Sequence, residues 1–150
     1  MFDTLAVITT TVVGIMVGLE FAVAFVINPI MQALPAGASI AGRAHGGRML
    51  GRLMPFWYFG SLILTAALAV VAWGTTSGTT ALVAAGLLAL SVILTVTLLV
   101  PINNRGKTWT AEDHPADWRE QHRRWDSLHY IRVAIIVAAF VLVAVSVTLL

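Results

Sequence analysis

The chain has 150 residues, of which 59% are hydrophobic and only 11% are charged, and it contains no cysteine. A soluble domain has about 25% charged residues, so this composition predicts a membrane protein. The absence of thiols excludes disulfides, thiolate metal sites and cysteine catalysis. The net charge is +2 at pH 7 and the basic residues flank apolar stretches, so we expect a lipid bilayer around the chain and no nucleic-acid partner.

Four apolar stretches are each long enough to cross a membrane, because a bilayer core needs about 20 apolar residues per helix, with a range of about 17–25. The sequence therefore predicts an all-α membrane protein of one domain over residues 1–150. Its architecture is an antiparallel four-helix transmembrane bundle with a polar helical extension before the last span. The predicted spans are about 4–27, 53–73, 79–100 and 131–150.

The first predicted span carries an acidic residue at depth. Glu20 lies eight residues before Asn28, or about 12 Å at about 1.5 Å per residue. An ionisable group at that depth costs about 3 kcal/mol on insertion scales. We therefore expect Glu20 to face the bundle interior beside an Arg or His, or to stay protonated. It is either a functional residue or a neutral packing residue. Gly14 and Gly18 form a helix-contact motif, for use within the bundle or in a homo-oligomer.

Residues 28–52 are predicted as a loop that contains the glycine-rich sequence GRAHGGRMLGR. This sequence could be a short interfacial helix or a loop, and it lacks the GxxxxGK[ST] spacing of a phosphate-binding loop. Glycines would let the backbone approach a ligand closely, so His45 and Arg48 become candidate binding residues. The next connection, residues 74–78 (GTTSG), predicts a tight uncharged hairpin.

A faint internal repeat links the first and third spans, which end in VINP (26–29) and VPIN (100–103). Pro and Asn are common helix stops, so chance explains the match as well as a repeat does. Under the repeat interpretation, the two span ends meet around one site.

Residues 118–130 contain no Gly or Pro and predict a helix that continues into the fourth span. At about 100° per residue, His122, Asp126 and His129 fall on one face of that helix. Imidazole and carboxylate at this spacing suit Zn, Fe, Cu or Mn, whereas a solvated charge network is the ordinary alternative. Acid/base use of one histidine is the stronger hypothesis, because an unperturbed histidine pKa of about 6.5 suits proton transfer near neutral pH.

Aromatic side chains gather near the span ends, as in the interfacial belt of membrane proteins. Trp118 and Trp125 are seven residues apart on the histidine-bearing helix, so they could instead form the wall of a pocket for a flat apolar ligand. Segments 28–52 and 101–132 hold every Lys and Arg of the chain. The positive-inside rule therefore places both segments in the cytoplasm and both termini outside, in the inner (plasma) membrane of a bacterium.

The motifs VINP, VPINNRGKTW (100–109) and DWREQHRRWDSLHYIR (117–132) together resemble the anthrone-oxygenase-like family of small four-span membrane proteins. The resemblance covers most of the chain, and the 117–132 block is its most specific part. Members linked to polyketide pathways oxidise anthrones to anthraquinones with molecular oxygen. The family pattern maps onto Glu20, Asn28, Pro101, Asn103, Trp118, Trp125, His129 and Arg132.

This resemblance implies a membrane-embedded oxidoreductase that acts on a flat hydrophobic, anthrone- or quinol-like substrate. Molecular oxygen is then the co-substrate, a metal ion is optional, and no large cofactor is needed. The implied catalytic residues are Glu20 or His129 as the base, with Arg132 or Asn103 stabilising the developing oxyanion. The candidate substrate-binding residues are Asn28, His45, Arg48, Trp118 and Trp125.

Two other functions fit the same residues: a small-molecule or proton transporter that uses Glu20 as a relay, and an accessory subunit without chemistry. Only one span carries an ionisable residue at depth, and the polar stripe lies at one interface, which disfavours transport. A pocket between Glu20 and His129 would favour the enzyme, and its absence would favour the accessory subunit.

Overall fold

The computed structural model describes residues 2–149, and these residues form helices and turns without a β-strand. Within them, four helices are long and apolar enough to cross a membrane. The chain is therefore an all-helical integral membrane protein, as its composition predicts. Leu150, the last residue of the fourth predicted span, lies outside the described residues.

The first and third spans are each interrupted by one π-helical turn. The first span consists of α1 (Phe2–Ala22), a first π-turn (Val23–Ile27) and α2 (Asn28–Ala33). The second span is a single helix, α3 (Ala36–Val71). The third span consists of α4 (Thr76–Leu94), a second π-turn (Thr95–Leu99) and α5 (Val100–Gly106). The fourth span is α6 (Trp118–Thr148).

The four spans form a ring in chain order. Helices α1 and α4 each pack against both α3 and α6. Residues 34–35, 72–75 and 107–117 connect neighbouring spans of the ring, which run antiparallel as in an up-and-down bundle. Buried apolar side chains from all four spans fill the centre: Val13, Met16, Met54, Leu88 and Ile136. In lipid, such van der Waals packing holds helices together, because the surrounding acyl chains are as apolar as the core.

The turn between α3 and α4 confirms the predicted hairpin. Residues 72–75 reverse the chain, and Gly74 has a φ of +81°, a conformation that costs glycine little. Thr75 then caps α4, since its Oγ1 accepts a hydrogen bond from the Gly78 N–H at 3.1 Å. Ser77 and Gly78, assigned to the loop from sequence, already belong to α4.

The predicted loop over residues 28–52 is helical instead, apart from a break at Leu34 and Pro35. Leu34 is extended, with a ψ of 154°, because a residue before proline is pushed out of the helical region. Glycine disfavours helix by about 1 kcal/mol relative to alanine, yet packing overrides that cost here. A Cβ on Gly42 would lie 2.8 Å from Met31 Sδ, so the glycine leaves room for the Met31 side chain where α3 packs against α2.

Gly14 contributes to helix packing inside the bundle. A Cβ on Gly14 would lie 3.2 Å from the Phe140 ring of α6, whereas a Cβ on Gly18 would meet nothing within 4 Å among the residues described. Gly14 thus lets α1 approach α6. A homo-oligomer through this helix remains a prediction.

Candidate functional site

A cavity of about 460 Å³ lies between the ends of the first and third spans. Small-molecule sites typically have volumes of about 300–1,000 Å³. Helix α3 forms another wall of the cavity, and α6 contributes to it as well. Much of the lining is apolar, from residues Val23, Ile27, Leu50, Met54, Phe59, Val92, Val96 and Leu99.

A proline follows each π-turn and explains it. Pro29 and Pro101 have no N–H to donate, and a proline ring clashes with the carbonyl four residues earlier. The residue before each proline donates its N–H to the carbonyl five residues earlier, Asn28 to Val23 and Val100 to Thr95. The VINP and VPIN motifs therefore have the same local structure, and both turns line the cavity, which supports the repeat interpretation. π-Turns of this kind are frequent at functional sites.

Glu20 is buried in the first span beside a cation from α6. Only 4% of Glu20 is exposed, and its Oε2 accepts a hydrogen bond from Arg132 Nη2 at 2.7 Å. Arg132 is 6% exposed, and its Nη1 donates to Thr95 Oγ1 at 3.1 Å. Arg132 thus connects Glu20 with the start of the second π-turn. The prediction that Glu20 faces the interior beside an Arg or His is confirmed.

His129 lies behind this ion pair and is completely buried. Arg132 Nη2 lies 2.9 Å from His129 Nδ1, and His129 Nε2 lies 3.1 Å from the backbone oxygen of Glu20. A guanidinium can only donate and a carbonyl can only accept. Both contacts are satisfied when Nδ1 accepts and Nε2 carries the hydrogen, and Nδ1 also lies 3.5 Å from Glu20 Oε2. In that arrangement Nδ1, the nitrogen that could take a proton, already accepts a hydrogen bond from Arg132.

A second buried ion pair joins α3 to α6. Arg43 binds Asp126 through two hydrogen bonds of 2.8 and 2.9 Å, and Gln32 Nε2 donates to Asp126 Oδ2 at 2.7 Å. Two-pronged arginine–carboxylate contacts are strong and directional. They hold α2, α3 and α6 together beside the cavity, whose lining includes Arg43.

Several side chains of the cavity wall keep a buried polar atom without a hydrogen-bond partner among residues 2–149. These atoms are Asn28 Nδ2, Tyr58 Oη, His122 Nδ1, Trp125 Nε1 and Arg132 Nε. More than about 90% of buried polar groups in proteins have a partner. Polar atoms of five side chains around one cavity therefore remain available to a molecule that could pair with them.

The sequence model of a family described as anthrone oxygenase matches residues 54–142, more than half of the chain. The chain belongs to the anthrone oxygenase family. The match covers the second half of α3, the whole third span and most of α6, and it leaves Glu20 and the first π-turn outside. Comparisons with curated proteins and with solved structures give no match.

In this anthrone oxygenase family member, six of the predicted site residues line the cavity: Glu20, Asn28, Asn103, His122, Trp125 and Arg132. His129 does not line it, but it contacts both Glu20 and Arg132. Trp125 stacks on the His129 ring, with centroids 4.8 Å apart and planes 19° apart. The fourth span thus presents Trp125 and Arg132 to the cavity and holds His129 behind them.

Three predicted substrate-binding residues, His45, Arg48 and Trp118, are not part of this cavity wall, and their role in binding stays a prediction. His45 is exposed on α3. Arg48 instead connects α3 with the end of α5, because its Nη1 donates to the Lys107 carbonyl at 2.9 Å. Trp118 is buried against His114 and His122, with ring centroids 5.9 and 5.6 Å away. Trp125 is therefore the member of the predicted tryptophan pair that faces a ligand.

The structure does not bring His122, Asp126 and His129 together as a metal-ligand set. The described part of the chain contains no group of three or more His, Cys, Asp or Glu side chains placed to hold a metal ion. Both Asp126 oxygens bind Arg43 and Gln32, and both His129 nitrogens have partners in the protein. The three residues share one helix face, but residues of α1, α2, α3 and α6 already bind the polar atoms of Asp126 and His129.

Sequence reasoning missed Tyr58, Thr95, Arg43 and Lys107, which all line the cavity. Tyr58 was grouped with the interfacial aromatic belt, although it lies inside the second predicted span, where a buried hydroxyl needs an explanation. Thr95 gave no signal, because threonine is ordinary in an apolar helix. Arg43 and Lys107 were considered only as topology determinants.

Proposed function

We propose that this protein is a membrane-embedded oxidoreductase that uses molecular oxygen to oxidise a flat hydrophobic, anthrone- or quinol-like substrate in the cavity. The family membership supports a reaction of this class. The observation that carries the proposal is a buried carboxylate, Glu20, on an apolar cavity wall beside unpartnered N–H and O–H donors. A carboxylate base and donors for the resulting oxyanion are what proton abstraction from a carbon conjugated with a carbonyl requires.

Glu20 is the base in this proposal. The ion pair with Arg132 uses its Oε2, and no hydrogen bond to Oε1 is made within residues 2–149. His129, in contrast, has both ring nitrogens occupied and lies outside the cavity wall. Its contacts fix the positions of Arg132 and of the α1 backbone at Glu20, so His129 is a positioning residue.

The proposed reaction begins when Glu20 takes a proton from the CH₂ group between the two outer rings of the anthrone. The electron pair left behind delocalises onto the carbonyl oxygen, which becomes an oxyanion. Arg132 Nε, Tyr58 Oη and Trp125 Nε1 are unpartnered donors on the same cavity wall. They are candidates to stabilise that oxyanion, because preorganised donors in a dry site are effective. Asn28 Nδ2 is a further candidate.

Oxygen then adds to the carbanion and forms a C–O bond, which gives a substrate peroxide anion. The peroxide takes the proton held by Glu20. The regenerated Glu20 carboxylate removes the second hydrogen of the former CH₂ group, the O–O bond breaks, and a C=O bond forms. The departing hydroxide takes this proton from Glu20 and leaves as water. The sum is anthrone plus O₂ to anthraquinone plus water, with Glu20 carrying every proton.

The apolar wall supports a substrate that enters from the bilayer. Phe59, Val96 and Val100 line the cavity and are also exposed on the outside of the bundle. A flat polycyclic molecule dissolves in lipid, so a site within the spans meets its substrate at high local concentration.

We further propose that segments 28–52 and 101–132 face the cytoplasm and that the membrane is the bacterial inner membrane. The positive-inside rule supports this orientation, because all nine Lys and Arg residues lie in these two segments. The cavity would then lie at the cytoplasmic end of the bundle.

The direct test is oxygen consumption by the detergent-purified protein with anthrone, with the anthraquinone product quantified. Protein-dependent uptake that forms one anthraquinone per O₂ supports the proposal, and no uptake above the uncatalysed rate contradicts it. A parallel measurement with a chelator separates two routes. Chelator-resistant uptake supports base-assisted oxidation, whereas chelator-sensitive uptake requires a metal that the reaction above does not use.

A further inference from the structure

The cations of the cavity wall differ in how they are neutralised. Arg132 is paired with Glu20, and Arg43 is paired with Asp126. Lys107 also lines the cavity, and it takes part in none of the ion pairs of the described residues. The cavity and the carboxylates that bind its arginines therefore carry one unbalanced positive charge, and it belongs to Lys107.

The position of Lys107 is fixed by its neighbours. Its backbone oxygen accepts a hydrogen bond from Arg48, and its Nζ donates to Asn104 Oδ1 at 3.2 Å. A Cβ on Gly51 would lie 3.1 Å from Lys107 Nζ, so the glycine provides the space that the ammonium occupies. An ammonium has three N–H donors, and the bond to Asn104 uses one of them. Two donors and a full charge are left for a ligand.

From this charge balance we propose that Lys107 is an anion-binding subsite and that the substrates of this protein carry a carboxylate or an ionised phenol on the ring system, away from the oxidised carbon. The inference rests on the proposed function and makes its substrate class more specific. Glu20 and Arg132 form the reacting end of the cavity, deep in the spans. Lys107 lies just beyond the end of α5 and forms the other polar end, with an apolar wall between them.

A lone, half-buried lysine is well suited to distinguish an anionic ligand from a neutral one. A charged hydrogen bond to a lysine contributes more than a neutral one, and an uncharged ligand would leave the ammonium without a counter-charge. We expect a preference of about tenfold for an anionic ligand over a neutral one of the same shape, which corresponds to about 1.4 kcal/mol.

The test compares anthraquinone-2-carboxylate with its neutral amide, anthraquinone-2-carboxamide, as product-like ligands that bind without turnover. Quenching of tryptophan fluorescence gives both dissociation constants for the wild type, Lys107→Met, Lys107→Arg and Arg105→Met. Arg105 is the matched control, because it is an exposed cation of the same helix end and does not line the cavity. Comparing variants cancels the partition of each ligand into detergent.

The expected result is an about tenfold preference for the carboxylate in the wild type, which Lys107→Met abolishes and which Lys107→Arg and Arg105→Met retain. Equal binding of both ligands by the wild type, a preference that survives Lys107→Met, or no binding of either ligand would overturn the proposal. Oxidation of unsubstituted anthrone is measured separately. A carboxylate preference without anthrone oxidation supports the anion subsite and rejects the proposed reaction. Anthrone oxidation without a carboxylate preference supports the reaction and rejects the subsite.

Discussion

Arg132 Nη2 lies 2.7 Å from Glu20 Oε2, and this contact joins the fourth span to the first within the membrane-spanning part of the bundle. The two residues are 112 positions apart in the chain. Both are almost completely buried, so each charge depends on the other for its neutralisation. The same arginine reaches Thr95, so three of the four spans meet at one guanidinium.

Removing one partner of this ion pair should destabilise the protein more than removing both. A single substitution that leaves a buried charge unpaired costs about 3–5 kcal/mol, whereas neutral replacements of both partners cost much less. We expect Arg132→Met to lower the apparent Tm in detergent more than the double variant Glu20→Gln/Arg132→Met does. Additive losses in the double variant would show that the two side chains do not depend on each other.

Position 129 should tolerate a substitution that keeps a hydrogen-bond acceptor for Arg132. Asparagine at this position can still accept a hydrogen bond from Arg132, whereas leucine cannot. We expect His129→Asn to retain most of the anthrone oxidation rate and an unchanged pH profile, and His129→Leu to lose activity and stability together. If His129 were the catalytic base, both variants would lose about 100-fold or more, which rate measurements over a pH series would reveal.

Much of the fold can be read from the sequence because hydropathy and bilayer thickness together determine the number of spans. The depth of Glu20 also predicts its burial and its basic neighbour. The sequence left residues 42–52 open between a short helix and a loop, and it did not predict that one helix runs from residue 36 through the second span. Their glycines and arginines are typical of loops, and only the contacts of Gly42 and Gly47 with other helices explain why a helix forms there.

The site was harder to predict than the fold, because its polar groups come from different spans. Tyr58 and Thr95 lie far apart in sequence, and each is unremarkable within an apolar stretch. Arg132 brings them together, since it donates to Thr95 and its guanidinium carbon lies 5.4 Å from the centre of the Tyr58 ring. The alignment of His122 with Asp126 on one helix face suggested a metal site, but the position of Arg43 on α3 decides what Asp126 binds.

Gly47 should be sensitive to the smallest substitution. A Cβ at this position would lie 2.6 Å from Asn103 Oδ1, so Gly47→Ala must displace a cavity side chain. Overpacking of this kind costs about 1–3 kcal/mol, and we expect a lower apparent Tm and a several-fold higher KM for anthrone. Gly60→Ala is the control on the same helix, because its Cβ meets nothing within 4 Å among the residues described. Similar losses in both variants would contradict the close contact.

The orientation in the membrane can be tested with single cysteines, since the natural chain has none. Thr76 lies at the start of α4 and Glu112 lies between α5 and α6, and both are exposed. Each is replaced by cysteine in a separate variant, Thr76→Cys and Glu112→Cys. With the charged segments in the cytoplasm, a membrane-impermeant maleimide added to whole cells with a permeable outer membrane should label only Thr76→Cys. Inverted inner-membrane vesicles should reverse the pattern. Labelling of Glu112→Cys in intact cells would overturn the orientation.

The role of Glu20 as the base is tested most directly by the rate of anthrone-dependent oxygen consumption in Glu20→Gln. The matched control is Glu120→Gln, the same chemical change at an exposed position of α6 outside the cavity. Both proteins must elute as the wild type does on size exclusion. We expect a loss of about 100-fold or more for Glu20→Gln and a wild-type rate for Glu120→Gln. A folded Glu20→Gln protein that oxidises anthrone at the wild-type rate would contradict it.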